Sequence, residues 1–150
     1  MDQALTTFLE HNRGAAMITV RRNGAAHAVR VGIALVDGKI WSSGTQSRLR
    51  TRHLRRDPRS TLFVFDAAYG YASLECTVNI LDGADAPELN LRLFEVFQRG
   101  MTPPVPEGKV MWSGAQRDID DFLRIMREER RLIYEFEVQR ASGLYGDMPS

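Results

Sequence analysis

Strict alternation of apolar and polar side chains is the feature of this sequence that most limits its fold. The alternation runs through residues 71–81 and returns in residues 131–139. Successive side chains of a β-strand point to opposite faces of a sheet, so this period predicts strands with one buried and one exposed face. The apolar positions are Leu74, Cys76, Val78 and Ile80 in the first segment and Leu132, Tyr134, Phe136 and Val138 in the second.

Tight-turn signals connect further predicted strands. Asn23-Gly24 separates the segment 15–21 from a returning segment 27–36, and Asp37-Gly38 leads into another short strand. Asn-Gly and Asp-Gly favour the left-handed backbone of two-residue hairpin turns. A nearly continuous apolar run at residues 60–66 predicts one more strand. Together with the two alternating segments, these strands predict a mainly β fold.

Three segments carry apolar residues at helical spacing and predict peripheral helices. They are residues 2–11, residues 87–99 and residues 116–129. The intervening residues 100–108 contain three prolines, which predict an extended loop. We therefore expect an α+β protein, mainly β with peripheral helices, in a single domain that spans residues 1–150.

Composition limits the expected location and partners of the protein. The 150 residues have a formal net charge of +1, which gives no general attraction to nucleic acid, and 43% hydrophobic content suits one globular domain. The single cysteine, Cys76, excludes an intrachain disulfide, and we expect it to be a small core residue. No segment approaches the length of a membrane span. We expect a cytoplasmic protein with neither nucleic acid nor membrane as a partner.

The sequence lacks the motifs of several common catalytic chemistries. It has no His-Glu-x-x-His pattern and no paired cysteines, so no metal site is expected. Gly-x-Ser-x-Gly, the Walker loop and Gly-x-Gly-x-x-Gly after the first strand are also absent. An enzyme with this sequence would depend on a bound cofactor for the difficult chemistry. No side chain stands out as catalytic.

Positive charge is concentrated between Ser42 and Arg59. This segment contains six arginines and one acidic residue, Asp57. It predicts the end of a strand, a polar turn, and then a short helix that Ser47 caps and Pro58 ends. A second charged run, at residues 127–131, mixes both signs and predicts a solvated helix end.

The arginine-rich segment suits a phosphate group. Free backbone N–H groups at a helix start attract anions, and arginine supplies paired, planar donors. Arg50 and His53 lie three residues apart, so on a helix they would share a face and could reach one ligand group. A solvated basic helix or a nucleic-acid patch would show the same run of charge, and the charge alone leaves these alternatives open.

The predicted strand at residues 27–36 has one apolar face and one face of small residues. The second face carries Ala28, Arg30, Gly32 and Ala34. Such a flat face lets a planar ring approach the backbone closely, and a covering element of the fold would suit it equally well. Arg30 could then reach a carbonyl or phosphate group of the ring-bearing ligand.

The arginine-rich segment also carries a family resemblance. Residues 45–59 read TQSRLRTRHLRRDPR and precede the strand TLFVF. This stretch resembles the phosphate-binding segment of the flavin/deazaflavin oxidoreductases, the split β-barrel proteins related to pyridoxamine 5'-phosphate oxidase. It is more narrowly similar to the actinobacterial branch that uses coenzyme F420, whose segment runs roughly Arg-x-Lys-x-x-Asn-Leu-x-x-Asp-Pro-Arg. Arg48 falls on the first Arg, Arg50 on the Lys and His53 on the Asn.

The resemblance implies a fold, an assembly and an activity. The fold would be a split β-barrel of the FMN-binding type, and the assembly a homodimer with a cofactor groove between the subunits. The activity would be F420-dependent transfer of hydride from reduced deazaflavin to an electron-poor double bond of a hydrophobic small molecule. The loop at residues 67–71, which contains Tyr69 and Tyr71, would form an edge of the site.

The resemblance also implies which residues bind the cofactor. Its phosphate would be held by Arg48, Arg50 and His53. Further donors would come from Gly44, Thr45, Gln46 and Ser47. The ring would be bordered by Ala28, Arg30 and Gly32.

Two other functions suit the same residues. One is an FMN-dependent oxidase or reductase with the same fold, since Arg and His at the Lys and Asn positions do not exclude FMN. The other is a protein that binds a cofactor or haem without turnover. The substrate cannot be named from the sequence, because pocket-lining residues come from variable loops.

Overall fold

A computed structural model describes residues 1–146, in which nine strands and four helices are found. The strands are β1 (Gly14–Val20), β2 (Ala26–Gly32), β3 (Ala34–Val36), β4 (Lys39–Thr45), β5 (Arg59–Phe65), β6 (Tyr71–Leu81), β7 (Lys109–Trp112), β8 (Ala115–Asp118) and β9 (Arg131–Leu144). The helices are α1 (Gln3–His11), α2 (Leu49–Arg56), α3 (Ala86–Gln98) and α4 (Ile119–Glu128). The predicted mainly β fold with peripheral helices is confirmed. Residues 147–150 lie outside the described range.

Seven of the strands form one antiparallel sheet that curls into a barrel. The strand order is β2-β1-β5-β6-β9-β4-β3, so β2 and β3 lie at opposite edges of the sheet. They are nevertheless separated in the chain by Ile33 alone, so the two edges must approach each other there. Across this seam the Ser42 hydroxyl of β4 donates to the Gly32 carbonyl at 2.7 Å, whereas the Ile33 N–H extends the β1–β2 pairing by donating to the Arg13 carbonyl at 2.8 Å. The barrel is therefore split along one side.

The sequence predicted one continuous strand at residues 27–36, and this prediction is wrong at Ile33. Alternation continues across the break, because Ile33 is buried in the barrel interior. The chain nevertheless changes partners there: β2 pairs with β1, whereas β3 pairs with β4.

The barrel interior is filled by the apolar positions that the alternation identified. Leu74, Cys76, Leu132 and Tyr134 are all buried in one cluster. Burial raises the pKa of the Cys76 thiol to about 12, as expected of an inert core cysteine. Helix α1 adds three buried apolar side chains and is capped by Asp2, whose carboxylate accepts the Leu5 N–H at 2.8 Å. The predicted first helix is thus confirmed.

A second layer covers only half of the outer surface of the barrel. Leu93 and Val96 of α3 pack on Ala34, Trp41 and Ile133, which belong to β3, β4 and β9. Helix α4 continues this layer through a third apolar cluster. The outer face of β2, β1, β5 and β6 has no such cover within the described residues, and it presents Ala16, Ile18, Ala28, Phe63, Phe65 and Tyr71.

The start of the last helix differs from the prediction. Residues 115–118 form β8, which pairs with β7 across Ser113 and Gly114. Both turn residues have positive φ, 51° and 77°, as a type I′ hairpin requires. The helix therefore begins at Ile119 rather than Gln116. None of the four helices in residues 1–146 is long and apolar enough to cross a membrane.

Candidate functional site

The arginine-rich segment forms the end of β4, a turn, and helix α2. The helix begins at Leu49 and ends at Arg56, just before Asp57 and Pro58, as the proline predicted. The N-cap residue is Arg48 rather than the predicted Ser47, and it makes no side-chain capping bond. The N–H groups of the first turn therefore have no side-chain cap, a condition that favours an anion at this end.

Arg50 is a partly buried cation with too few acceptors. Its guanidinium carbon lies 5.6 Å from the centre of the Tyr134 ring, and Nη2 reaches the Ser43 carbonyl only at 3.5 Å. The Nε atom is buried and has no hydrogen-bond partner among residues 1–146. Burial lowers the pKa of Arg50, and repulsion from Arg48 and Arg131 lowers it further. A bound anion would supply the missing charge and acceptors.

His53 is placed differently from Arg50. It is only 5% exposed, its Nδ1 lies 2.8 Å from the Thr19 hydroxyl, and its ring meets that of His27 edge-on at 5.2 Å. Burial lowers the pKa of His53. Helix α2 lies between two sets of strands. Arg50 contacts β4 and β9, whereas His53, one turn further along, contacts β1 and β2. The structure therefore does not bring Arg50 and His53 to one ligand group.

The predicted donors before α2 have mainly structural contacts. Gly44 and Thr45 are buried in β4 and pair with β9. A side chain at Gly44 would place Cβ 2.2 Å from the Tyr134 hydroxyl, so glycine is needed there for close packing. Gln46 accepts from Arg55 at 2.6 Å. Of the four predicted donors, only Ser47 is exposed.

The predicted ring-binding residues lie at an open cavity of about 550 Å³ on the outer side of the barrel. Ala28 and Arg30 line it together with Ala16 of β1, Phe65 at the end of β5 and Ala67 of the loop after β5. Gly32 is exposed just beyond it. Alanines and Phe65 make up half of the lining, and Asn12, Arg30 and Asp66 add polar groups, so the cavity suits a flat ligand with a few polar substituents.

Three expectations about this region need correction. Ala34, predicted to share the flat face, is covered by α3. Tyr69 is 91% exposed and does not line the cavity, and Tyr71 stacks on Phe63 at 5.4 Å instead. The loop reaches the cavity through Ala67, while the Asp66 carboxylate accepts two N–H groups of the loop and holds its shape.

The two groups of predicted site residues do not meet within one chain. The cavity is lined by residues near Gly14 and Arg30, and no residue of α2 lines it. Helix α2 instead packs at the other end of the β1–β2 hairpin, through the Thr19–His53 contact. A ligand that uses both groups must therefore span the barrel end or draw on two copies of the chain.

Arg131 was missed as a neighbour of this site. The charge pattern predicted a solvated helix end, but Arg131 is the first residue of β9, opposite Thr45. Its guanidinium lies 4.8 Å from the Trp112 ring centre and pairs with Glu129 at 2.7 Å. The alternation from residue 131 had already predicted this strand, but the pairing of β9 with β4, which places Arg131 beside the arginine-rich turn, leaves no local signal in the sequence.

Comparison with known proteins gives a family match. The model of the family described as pyridoxamine 5'-phosphate oxidase matches residues 1–112. This range includes α2, the cavity strands and helix α3.

Solved structures give the same fold at low sequence identity. A conserved hypothetical protein from Mycobacterium tuberculosis has a TM-score of 0.72 and 20% identity, over 100% of this chain and 90% of that one. A structure named F420 reductase has a TM-score of 0.63 and 18% identity, over 91% and 94% of the two chains. A FAD-binding protein from Mesorhizobium loti has a TM-score of 0.58 and 13% identity, over 93% and 88%. These similarities confirm the predicted split β-barrel fold.

Proposed function

This chain belongs to the pyridoxamine 5'-phosphate oxidase family, which includes oxidoreductases, and we propose that it is an F420-dependent oxidoreductase. Reduced deazaflavin, when bound, supplies a hydride to an electron-poor double bond of a hydrophobic small molecule. The protein binds and orients both partners and excludes water from between them. The resemblance of the arginine-rich segment to the actinobacterial F420-using branch and the similarity of the fold to an F420 reductase support this choice.

The under-satisfied guanidinium of Arg50 is the observation that carries the proposal. Arg50 and Arg48 lie next to each other at an uncapped helix start, and neither forms an ion pair within the described residues. A cofactor phosphate there would accept from both arginines, from the exposed Ser47 hydroxyl and from first-turn N–H groups. In this arrangement His53 supports the phosphate site by holding α2 on Thr19.

Gly44, Thr45 and Gln46, which precede the helix, contribute to the proposed site by setting the shape of the turn. Gly44 admits the Tyr134 ring, the Thr45 carbonyl accepts from the Thr51 hydroxyl at 2.7 Å, and Gln46 is tied to Arg55. These contacts fix the turn that presents Ser47.

The ring is proposed to lie in the cavity bordered by Ala28, Arg30 and Gly32. Small side chains there let an aromatic ring contact the strand backbone, and Arg30 can donate to a ring carbonyl. The open end of the cavity is left for a hydrophobic substrate. Hydride addition to one carbon of the double bond would leave the other carbon to take a proton from solvent, so none of the described side chains need act as a general acid or base.

We further propose a homodimer that completes the site. The uncovered outer face of β2, β1, β5 and β6 carries an apolar patch, in which Phe63 is 37% and Phe65 54% exposed. Covering such a face with a second copy removes apolar surface from water. It would also allow the phosphate residues of one protomer and the ring residues of its partner to hold one cofactor, which explains why they lie apart within one chain. A stable interface of this kind buries at least about 1,200 Å² in total.

Flavin chemistry is the second candidate, favoured by the family match and by the fold similarity to a FAD-binding protein. Sequestration of a cofactor or haem without turnover is a third. Titrating the purified protein separately with F420, FMN and haem distinguishes them by dissociation constant. We expect the tightest binding for F420, together with oxidation of its reduced form by an electron-poor alkene. Tighter binding of FMN or haem, or binding without turnover, would overturn the corresponding part of the proposal.

A further inference from the structure

A second basic surface lies on the side of α2 away from Arg50. We define the hairpin cleft as the cavity of about 450 Å³ between the β1–β2 turn and α2. The turn contributes Arg21, Arg22 and Asn23, and the helix contributes Leu49, Arg52, His53 and Arg56. Arg50 and Arg52 are two residues apart and point to nearly opposite sides of the helix, so the cleft is separate from the proposed phosphate site.

The charge in the hairpin cleft is not neutralised by the chain. No carboxylate lines the cleft, and within residues 1–146 none of its four arginines forms an ion pair. Other arginines of the same segment do have acidic partners: Arg55 pairs with Asp82 at 3.0 Å and Arg59 with Asp57 at 2.8 Å. Four unpaired guanidinium groups around one cavity repel one another, and a multiply charged anion would relieve that repulsion.

Hydrogen bonds hold two of the four arginines of the cleft in place. The Arg56 guanidinium donates to the Val20 carbonyl and so joins α2 to the hairpin. The Arg52 guanidinium lies 3.4 Å from the Ser47 carbonyl. In the turn, the Asn23 side chain accepts the Ala25 N–H at 3.0 Å. The Arg52 and Arg56 donors are therefore ordered before a ligand arrives, which lowers the entropic cost of binding.

From this geometry we propose that the hairpin cleft is a binding site for a doubly charged oxyanion, of the phosphate or phosphate-ester class, separate from the cofactor. His53 forms part of the cleft wall and links binding to protonation. The groups that face its ring are His27 from β2, the Thr19 hydroxyl from β1, Arg21 from the turn, and Arg52 and Arg56 from α2. All of the charged groups among them are cationic or become so on protonation.

An anion in the cleft therefore favours the charged form of His53. By linkage, protonation of His53 must in turn tighten the binding of that anion. Burial and the surrounding cations lower the pKa of His53 in the free protein, so this gain is expected on the acid side of neutrality. Sulfate is the best probe of this coupling, because it keeps both charges where phosphate begins to protonate.

The test is a sulfate titration of the cofactor-free protein at constant ionic strength, followed by NMR of the His53 ring. We expect a saturable shift, with sulfate binding about 3- to 10-fold tighter at about pH 5.5 than at about pH 7.5. Arg52→Ala and Arg22→Ala, which alter the helix and the turn separately, should each weaken binding about tenfold or more. Arg55→Ala is the matched control on the same helix and should bind sulfate like the parent.

The outcomes also separate this site from the cofactor site. Arg22→Ala, which lies on the β1–β2 turn, should keep the parent affinity for F420, whereas Arg50→Ala should keep the sulfate response of His53. A comparison of phenyl phosphate with inorganic phosphate tests whether an ester fits the cleft. If phenyl phosphate binds at least as tightly as inorganic phosphate, an ester ligand is supported. Shifts that rise without saturation, or that are equal in Arg55→Ala and Arg52→Ala, would mean general charge screening and would overturn the proposal.

Discussion

Arg50 and His53 lie one helical turn apart and illustrate how a buried polar residue can be assigned a role. His53 has a hydrogen-bond partner in Thr19, so its burial is compensated by the fold. The buried Nε of Arg50 has none within the described residues. An unsatisfied buried donor on a cation is costly, which is why we assign the ligand to Arg50 and the support of the helix to His53. Both residues were candidates from the sequence, but only the contacts distinguish them.

Gly44 tests the close packing beneath the site. Gly44→Ala places a methyl group against the Tyr134 hydroxyl, so the free energy of unfolding should fall by about 1–3 kcal/mol. Urea denaturation measures this change. Gly14→Ala is the control, because a Cβ there meets nothing within 4 Å and should change stability little. Equal effects of the two substitutions would show that the tight contact at Gly44 does not limit stability.

Gly32 and Ala28 test the placement of the ring. Gly32→Val and Ala28→Val put branched side chains on the exposed side of β2, where a strand tolerates them. Under a bound ring, the same methyl groups would displace the cofactor, and about 1 Å of displacement can reduce the rate on the order of a hundredfold. We expect folded variants with cofactor affinity or turnover sharply reduced. Because a Cβ at Gly32 would already lie 3.4 Å from Phe97, Ala28→Val is the cleaner variant of the pair. If both variants bind F420 and FMN as the parent does, the proposal that the ring lies on this strand is wrong.

At the scale of elements, α2 is held against the barrel by three hydrogen bonds from two residues on its buried side. Thr51 bonds the Thr45 carbonyl and the Tyr134 hydroxyl, and His53 bonds Thr19. These contacts connect the helix to β4 and β9 on one side and to β1 on the other. The position of the arginines therefore depends on residues that carry no charge at neutral pH.

The docking of α2 should depend on pH through His53. Burial lowers its pKa, so the folded protein binds fewer protons than the unfolded chain, and stability must fall as pH drops below about 6.5. His53→Asn removes the titrating ring and retains a polar side chain. We expect a flatter dependence of urea stability on pH between about 7 and about 5 in this variant than in the parent. Identical slopes would show that His53 does not couple protonation to folding.

The elements themselves were predicted unevenly, for physical reasons. Alternation and helical spacing identified the long strands and three of the helices, and Pro58 marked the end of α2. Periodicity cannot reveal a change of strand partner, so the break at Ile33 was missed. The β7–β8 hairpin was also missed, because its strands have four residues each and its turn uses Ser113, a residue rarely found at positive φ. Side-chain partners such as Thr19 for His53 are set by long-range packing and leave no local signal.

At the scale of the whole molecule, one half of the barrel is covered by helices and the other half is open. Phe94 joins the two outer clusters, since it packs with both the α3 group and the Phe122 group. We therefore propose that residues 1–150 form a single domain. The open face of β2, β1, β5 and β6 is then the part of the molecule for which residues 1–146 supply no cover.

We predict that the open face is a dimer interface and that one charged side chain placed in it would disrupt the dimer. Sedimentation at micromolar concentration should give a dimer for the parent and a monomer for Phe65→Glu, because a carboxylate would be buried in the interface. The control is Met101→Glu, which changes a residue that is 41% exposed outside this face. If the parent is a monomer that still binds cofactor tightly, the shared site is wrong.

The most direct test of the central proposal is the affinity of Arg50→Ala for F420. Removing the guanidinium should weaken binding by about 1.5–3 kcal/mol, roughly 10- to 150-fold, because a hydrogen-bonded charge pair with the phosphate is lost. Isothermal titration should be run beside Arg124→Ala, whose arginine lies on α4 with Asp121 and Glu128 as its partners and which should bind like the parent. Urea denaturation of both variants separates affinity from folding. A folded Arg50→Ala protein with parent affinity for F420 and for FMN would contradict the proposal that this helix start holds the cofactor phosphate.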